Sequence, residues 1–275
     1  MDKGKLYICP TPIGNLEDIT LRTINTLKEV DLIAAEDTRH TIKLLNHYQI
    51  KKPLTSYHEH NIREKGIDLI DKLIKGIDIA LVSDAGMPGI SDPGQDLIRL
   101  AIDEAIQVVV LPGPTASIAA LVASGLSTDK FVFEGFLSSK KKDRANQLKA
   151  LKDEKRTMII YESPHRLLDS LKNMLDILGN RNIAIVRELT KIYEEVFRGS
   201  IEEGMKKFST QKIKGEFVLV LEGNMEEDVE VEIDIEEELL KHIKQGLSKK
   251  ESVKIVSKEF NLPKNQVYQK SLELE

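Results

Sequence analysis

Short apolar runs rich in β-branched residues alternate with segments of helical period through the first half of this chain, and no other feature restricts its fold as much. Residues 5–9 (KLYIC), 31–35 (DLIAA), 77–82 (IDIALV) and 107–111 (QVVVL) read as strands. LRTINTLKEV, REKGIDLIDKLIKG and GQDLIRLAID read as helices between them, and within 61–75 Ile67, Ile70 and Ile74 recur at helical spacing. That order predicts an α/β domain built on a largely parallel sheet. A second set of strands follows PGPTASIAALVASG: KFVFEGF, TMIIYES, NIAIVREL, EEVFRGS and GEFVLVLEG. Its later members succeed one another with few helices between, which predicts a mixed or antiparallel sheet. The boundaries expected are an N-terminal α/β domain over 1–115 carrying ligand loops and a second α/β domain over 116–224.

Beyond Gly223 the character changes. Residues 225–238 are dense in acid and read as a solvated linker, although Val229, Val231, Ile233 and Ile235 alternate with acids as a short edge strand would. Residues 239–275 read as a basic helical tail: Leu239, Leu240, Ile243 and Leu247 form one stripe. Ser248 and Glu251 have capping-box spacing, and Pro263 begins the last helix. Cys9 is the only cysteine, so neither a disulfide framework nor a thiolate metal cluster is available. The formal charge of −5 argues against a surface that holds polyanions everywhere and leaves local patches for that task. No run approaches the roughly 18 apolar residues of a membrane helix, and the N-terminus lacks a signal-peptide pattern. The expectation is a cytoplasmic protein with no membrane partner.

Three Gly/Pro clusters follow three of the first-half strands: PTPIGN (10–15), SDAGMPGISDPG (83–94) and PGPTAS (112–117). In open parallel sheets the carboxyl ends of the strands share one edge, and ligands bind there. Such loops suit a ligand that must approach bare backbone, and a helix opening at Thr115 offers free N–H groups to a carboxylate. Neither a GxxxxGK[ST] segment nor a GxGxxG after the first strand is present, so a small ligand with polar ends fits better than a nucleoside triphosphate or a dinucleotide.

PTPIGNLEDIT, AAEDTRHT, SYHEHN, SDAGMPGISDPG, PGPTA, FEGF, YESPHR, RELTK and the GE before the last strand occur in that order. The set resembles the small-subunit ribosomal RNA 2′-O-methyltransferases of the tetrapyrrole-methylase superfamily, almost continuously over 5–223. The resemblance implies two α/β domains with S-adenosylmethionine folded into the cleft between them. It implies a substrate in 16S ribosomal RNA or the small ribosomal subunit, where the 2′-hydroxyl of a decoding-region cytidine is modified, and it implies a homodimer. Carried onto these motifs, the cofactor would meet Pro12 and Gly14, then Asp84, Ala85, Gly86, Met87 and Ile90, then Thr115 and Ala116. The second domain would add Phe136, Leu137, Tyr161, Glu162 and Glu216.

Methyl transfer to a hydroxyl needs alignment, worth up to roughly 7–11 kcal/mol, and a proton acceptor worth about 10²–10⁴-fold; no metal is required. Candidates for the chemistry are Glu36, Asp37, Arg39, His165 and Lys191, with Glu188 as an alternative to Lys191. Asp37 also reads as a helix cap, and Ser163–Pro164 as an N-cap and first-turn pair. Candidates for RNA contact are Arg39, which could fork a phosphate, His58 and His60, the run Lys140, Lys141, Lys142 and Arg144, and Arg166. His58 and His60 fall on one side of an extended segment, yet no third metal ligand accompanies them, so no metal is expected. Two rival readings are a methylase of a tetrapyrrole and a nucleic-acid-binding regulator that reads with its tail. The first does not require the basic run and tail; the second leaves the three ligand loops without a purpose.

Overall fold

A computed structural model describes residues 2–225, 234–260 and 262–274. They belong to two units, Met1–Met225 and Glu226–Glu275. In the first lobe of the larger unit, β1 (Leu6–Ile8), β2 (Leu32–Ala35), β3 (Leu54–Ser56), β4 (Ile79–Val82) and β5 (Val108–Val110) form a parallel sheet in the order β3-β2-β4-β1-β5. Helices α1 (Leu21–Glu29), α2 (Thr38–His47), α3 (Ile62–Ile74) and α4 (Gln95–Asp103) connect them. Leu6, Ile8, Ile79 and Leu81 pack with Leu69 and Leu97 on one face. Cys9, Ile33, Ala80 and Val82 pack with Leu27 and Leu45 on the other. Burial on both faces explains why these strands are continuous apolar runs rather than alternating ones.

A second sheet carries the second lobe. Strands β6 (Phe131–Phe136), β7 (Thr157–Glu162), β8 (Asn182–Arg187), β9 (Glu195–Ser200) and β10 (Phe217–Leu221) lie in the order β6-β7-β10-β8-β9. Only β6 and β7 are parallel, so the sheet is mixed. Helix α5 (Ala116–Ser124) covers one face through Ala120 and Leu121. Helices α6 (Lys141–Ala150), α7 (Leu167–Leu178) and α8 (Ile201–Ser209) cover the other around Met158, Ile160, Leu171 and Phe208.

Several sequence expectations shift. The three-residue strand β3 is not among the expected strands, whereas α2 starts at the helix cap expected at Asp37. In α3 the buried face is Gly66, Leu69, Ile70 and Leu73, whereas Ile67 is 63% exposed and Ile74 39%. Three helices, α6 to α8, lie among the second-lobe strands where few were expected. The smaller unit holds α9 (Ile235–Lys244), α10 (Lys249–Glu259) and α11 (Lys264–Glu273) around Leu239, Val253, Val256 and Val267. Helix α9 begins four residues ahead of the expected tail because the Asp234 side chain accepts from the Glu236 and Glu237 N–H groups, at 3.0 and 3.1 Å. The capping box at Ser248 is present. The possible strand at Val229, Val231 and Ile233 lies outside the described residues. No described helix is long and apolar enough to cross a membrane.

Candidate active site

Strand β1 has β4 on one side and β5 on the other, so the loops leaving all three meet at one edge. Thr11 and Gly86 exchange antiparallel backbone hydrogen bonds of 2.9 Å each, and the Thr11 hydroxyl donates to the Ser83 carbonyl at 3.0 Å. The third loop closes on the first: a Cβ on Gly113 would lie 2.3 Å from Pro10 Cγ. Gly86 turns with φ 79° and Gly89 with φ 81°, the left-handed region that side chains resist. The special residues of 83–94 thus do two things: they allow the turn, and they leave backbone bare beside a cavity.

That cavity, of about 330 Å³, opens between the lobes, within the range of small-molecule sites. The first lobe contributes Ile13, Ala85, Gly86, Met87, Ile90 and Asp92. Thr115 and Ala116 line it where α5 begins; the Thr115 hydroxyl donates to the Gly113 carbonyl (3.2 Å) and makes no side-chain cap to the helix. The first turn of α5 therefore meets the cavity without a cap from its own Thr115. From the second lobe come Phe136, Tyr161, Glu162, Ser163, Pro164 and Glu216. A register shift between Phe133 and Gly135, with Gly135 at φ 65°, re-aims the end of β6. Phe136, 55% exposed, stands edge-on to Tyr161 with ring centroids 5.5 Å apart. The Tyr161 hydroxyl accepts from the Ser117 N–H at 3.2 Å and ties β7 to α5.

Glu188 and Thr190 at the rim adopt φ of 50° and 66°, left-handed conformations rare for such side chains. Their loop is braced. The Asn15 N–H donates to Thr190 Oγ1 at 3.1 Å, and Lys191 Nζ bridges Glu188 (3.0 Å) and Glu216 (2.8 Å). Burial opposes the Lys191 charge, but the two glutamates outweigh it and raise its pKa. Gly14 fits beneath: a Cβ there would come within 2.5 Å of Lys191 Cγ.

Carboxylates gather on the first-lobe side. Burial, then Asp92 and Asp84, raises the Glu36 pKa; burial, then Asp84, raises that of Asp92. Asp84 Oδ1 accepts from the Asp37 N–H at 3.1 Å, and the Asp84 N–H reaches Glu36 Oε2 at 3.5 Å. Asp37 caps α2, and the Arg39 guanidinium forks its carboxylate at 3.1 and 2.8 Å, holding its pKa down to about 2.

Of the expected cofactor residues, Ala85, Gly86, Met87, Ile90, Thr115 and Ala116 line the cavity, and so do Phe136, Tyr161, Glu162 and Glu216. Four do not. Pro12 and Asp84 face a smaller cavity of about 130 Å³ that His40 and Lys43 also line. Gly14 serves the rim packing. Leu137 is 2% exposed in the second-lobe core. None of the expected chemical residues lines the cavity: among the described residues the Glu36 carboxylate is met only by the Asp84 N–H at 3.5 Å, Asp37, Arg39 and Lys191 are held in the pairs above, and His165 is exposed on a turn. Lys140, Lys141 and Lys142 are exposed around the start of α6.

Two arginines expected on RNA are turned inward. Arg144, 5% exposed, donates from Nε to Asn173 at 2.8 Å. Arg166 pairs with the fully buried Glu162 carboxylate at 3.0 Å and donates to the Leu137 carbonyl at 3.1 Å. Ser163 and Pro164 belong to a turn, and α7 starts only at Leu167, so they do not cap it. Residues 59–61 likewise form a turn, in which Asn61 Oδ1 accepts from the His58 N–H at 2.8 Å; the two imidazoles meet edge-on at 5.9 Å instead of lying along an extended strand. Asp92, in the 83–94 loop, lines the cavity and is not among the residues expected from the sequence. Val186, Leu189, Phe217 and Val218 also line the cavity, and only the pairing of β8 with β10 brings them there.

Residues 5–204 match the sequence family described as Tetrapyrrole (Corrin/Porphyrin) Methylases. A protein named "Ribosomal RNA small subunit methyltransferase I" from Halalkalibacterium halodurans is 53% identical over 272 residues, covering 97% of this chain and 94% of that protein. Proteins of the same name from Synechocystis and Bacillus subtilis are 49% and 48% identical, covering 99% and 97% of this chain and 99% and 94% of their own lengths. Among solved structures, diphthine synthase superposes with TM-score 0.63 at 15% identity, covering 80% of this chain and 90% of that one. Uroporphyrin-III C-methyltransferase from Thermus thermophilus, complexed with S-adenosylhomocysteine, superposes with TM-score 0.56 at 18% identity, covering 80% and 97%. At such identities the structural likeness speaks for the fold.

Proposed function

This chain belongs to the tetrapyrrole (corrin/porphyrin) methylase family, and from that premise we propose that it methylates small-subunit ribosomal RNA on the 2′-hydroxyl of a decoding-region cytidine. It is an S-adenosylmethionine-dependent methyltransferase. The observation that carries the RNA substrate is the 53% identity, over nearly the full length of both chains, to a protein named for that activity.

The cavity suits the methyl donor. Bare backbone at Gly86, apolar walls at Met87 and Ile90, and a helix start at Ala116 match a molecule with polar edges, an adenosine and a carboxylate. The Phe136–Tyr161 pair offers ring surface to a cation. Bound there, S-adenosylmethionine supplies an electrophilic methyl group on a cationic sulfur. The chain's task is to align a ribose hydroxyl with it, exclude water and accept a proton. We assign the proton to a carboxylate oxygen of Glu36, the one expected chemical residue whose acid is neither capped nor forked. Lys140, Lys141 and Lys142 would hold RNA phosphates, and the enzyme would act in the cytoplasm as a homodimer.

The test is transfer of a labelled methyl group to small subunits, or to their RNA, from cells lacking the modification. Label in one cytidine ribose is the expected result. Label in a tetrapyrrole precursor alone would replace this reading with a small-molecule methylase. RNA binding without transfer, at saturating cofactor, would leave a binding protein.

A further inference from the structure

Three lysines of the smaller unit are engaged within it, and Lys244 and Lys264, like three more on α10, are exposed without an ion-pair partner among the described residues. Lys241 pairs with Glu238 at 2.6 Å, Lys270 pairs with Glu236 and Glu273 at 3.1 and 2.7 Å, and Lys249 donates to the Leu274 carbonyl. These brace the three helices. Lys250, Lys254 and Lys258 do not: each is exposed, and none has an ion-pair partner among the described residues. They recur every four residues along α10, whose buried residues are Ser252, Val253 and Val256. Four residues of helix rise about 6 Å, so three ammonium groups line one ridge at that interval.

An ordinary solvated helix face mixes signs, because like charges four apart weaken the helix. Here the acids of α10 are engaged elsewhere. Glu251 completes the capping box with Ser248, and Glu259 faces His242 at 3.7 Å. The positive ridge is therefore left without internal neutralisation among the described residues.

We propose that the Lys250–Lys254–Lys258 ridge is a phosphate-tracking anchor for the RNA substrate. This rests on the reading of ribosomal RNA as substrate. Phosphate contact through lysine is sequence-independent and releases counterions, so it has a signature that a packing role lacks. Each contact adds about 0.7–0.9 to the slope of log affinity against log salt, hence roughly 2–2.7 for three.

The experiment compares the full chain with its K250Q/K254Q/K258Q variant, using small-subunit RNA that lacks the modification, at salt from 50 to 200 mM. The expected result is a slope shallower by about 2, so that the wild type's binding advantage shrinks roughly 20-fold across the series. Binding of S-adenosylhomocysteine and kcat at saturating RNA should stay at wild-type values, and a triple Lys→Arg variant should restore the slope. An unchanged slope with the Gln variant overturns the proposal. So does a defect seen with assembled subunits but not with free RNA, which would place the ridge on a ribosomal protein. Methyl transfer by the wild type reports separately on the substrate: its failure alongside a changed slope would sink the functional reading and leave the ridge a general contact to RNA phosphates, whereas intact transfer with an unchanged slope would sink the anchor alone.

Discussion

Replacing Gly86 with Ala separates the two roles assigned to the loop after β4. The residue sits at φ 79°, where a Cβ costs about 1–2 kcal/mol. Space is not the obstacle: the new methyl would meet only Ile13 Cγ2 at 3.4 Å and the Pro114 carbonyl at 3.8 Å. The fold should survive, with Tm lowered by roughly 2–8 °C for a unit of this size. Gly86 lines the cavity, so the methyl also takes space from the ligand. Overpacking of this kind costs about 1–3 kcal/mol, a loss of roughly 5- to 150-fold in affinity. The control is Gly125→Ala at the end of α5, with φ 75° and nothing within 4 Å of the added Cβ. It should lose comparable stability and keep its affinity. Calorimetric titration with S-adenosylhomocysteine and thermal melts of both variants provide the readout. Wild-type affinity in Gly86→Ala, together with a lowered Tm, would refute the close approach of ligand to backbone.

Glu36→Gln should lower kcat by about 10²–10⁴ with cofactor affinity intact; wild-type kcat should fall on acidification with a midpoint above the usual carboxylate value, because burial, Asp92 and Asp84 raise the Glu36 pKa. Full activity in the Gln variant would remove Glu36 from the chemistry. Asp92→Asn should raise Tm at neutral pH. The Asp92 pKa is raised by burial and by Asp84, so the folded state binds more protons than the unfolded one, and stability declines as pH rises from the ordinary aspartate value through the raised one; urea melts from pH 4 to 8 would show that decline flattened in the variant, and an unaltered profile would contradict it. Arg166→Met should cost about 2–3 kcal/mol in chemical denaturation, since the Glu162 carboxylate, with no exposed side-chain surface, would keep only its hydrogen bonds to Ser163 and Ser170. A loss of RNA affinity without a loss of stability would instead return Arg166 to the substrate.

The fold was legible wherever burial imposed a simple pattern. Strands packed on both faces, such as β4 and β10, announce themselves as apolar runs. The half-buried Leu54–Ser56 edge strand carries too few residues to show any period. The meeting of three loops was readable because Gly and Pro punctuate the ends of β1, β4 and β5, and the position of Ala35 at the end of β2 placed Glu36 at the same edge. What a charged side chain touches was not readable. Arg144 and Arg166 look like any other exposed base until Asn173 and Glu162 are folded beside them. The same limit hid Val186 and Phe217, whose place in the cavity depends on which strand becomes the neighbour of which.

The most direct measurement is a crystal structure of the chain grown with S-adenosylhomocysteine. The ligand should lie between the lobes, against the Gly86–Met87 backbone, the start of α5 at Ala116 and the ring of Phe136. Density for it anywhere else, or a cavity filled by those same side chains, would contradict the assignment of this cleft.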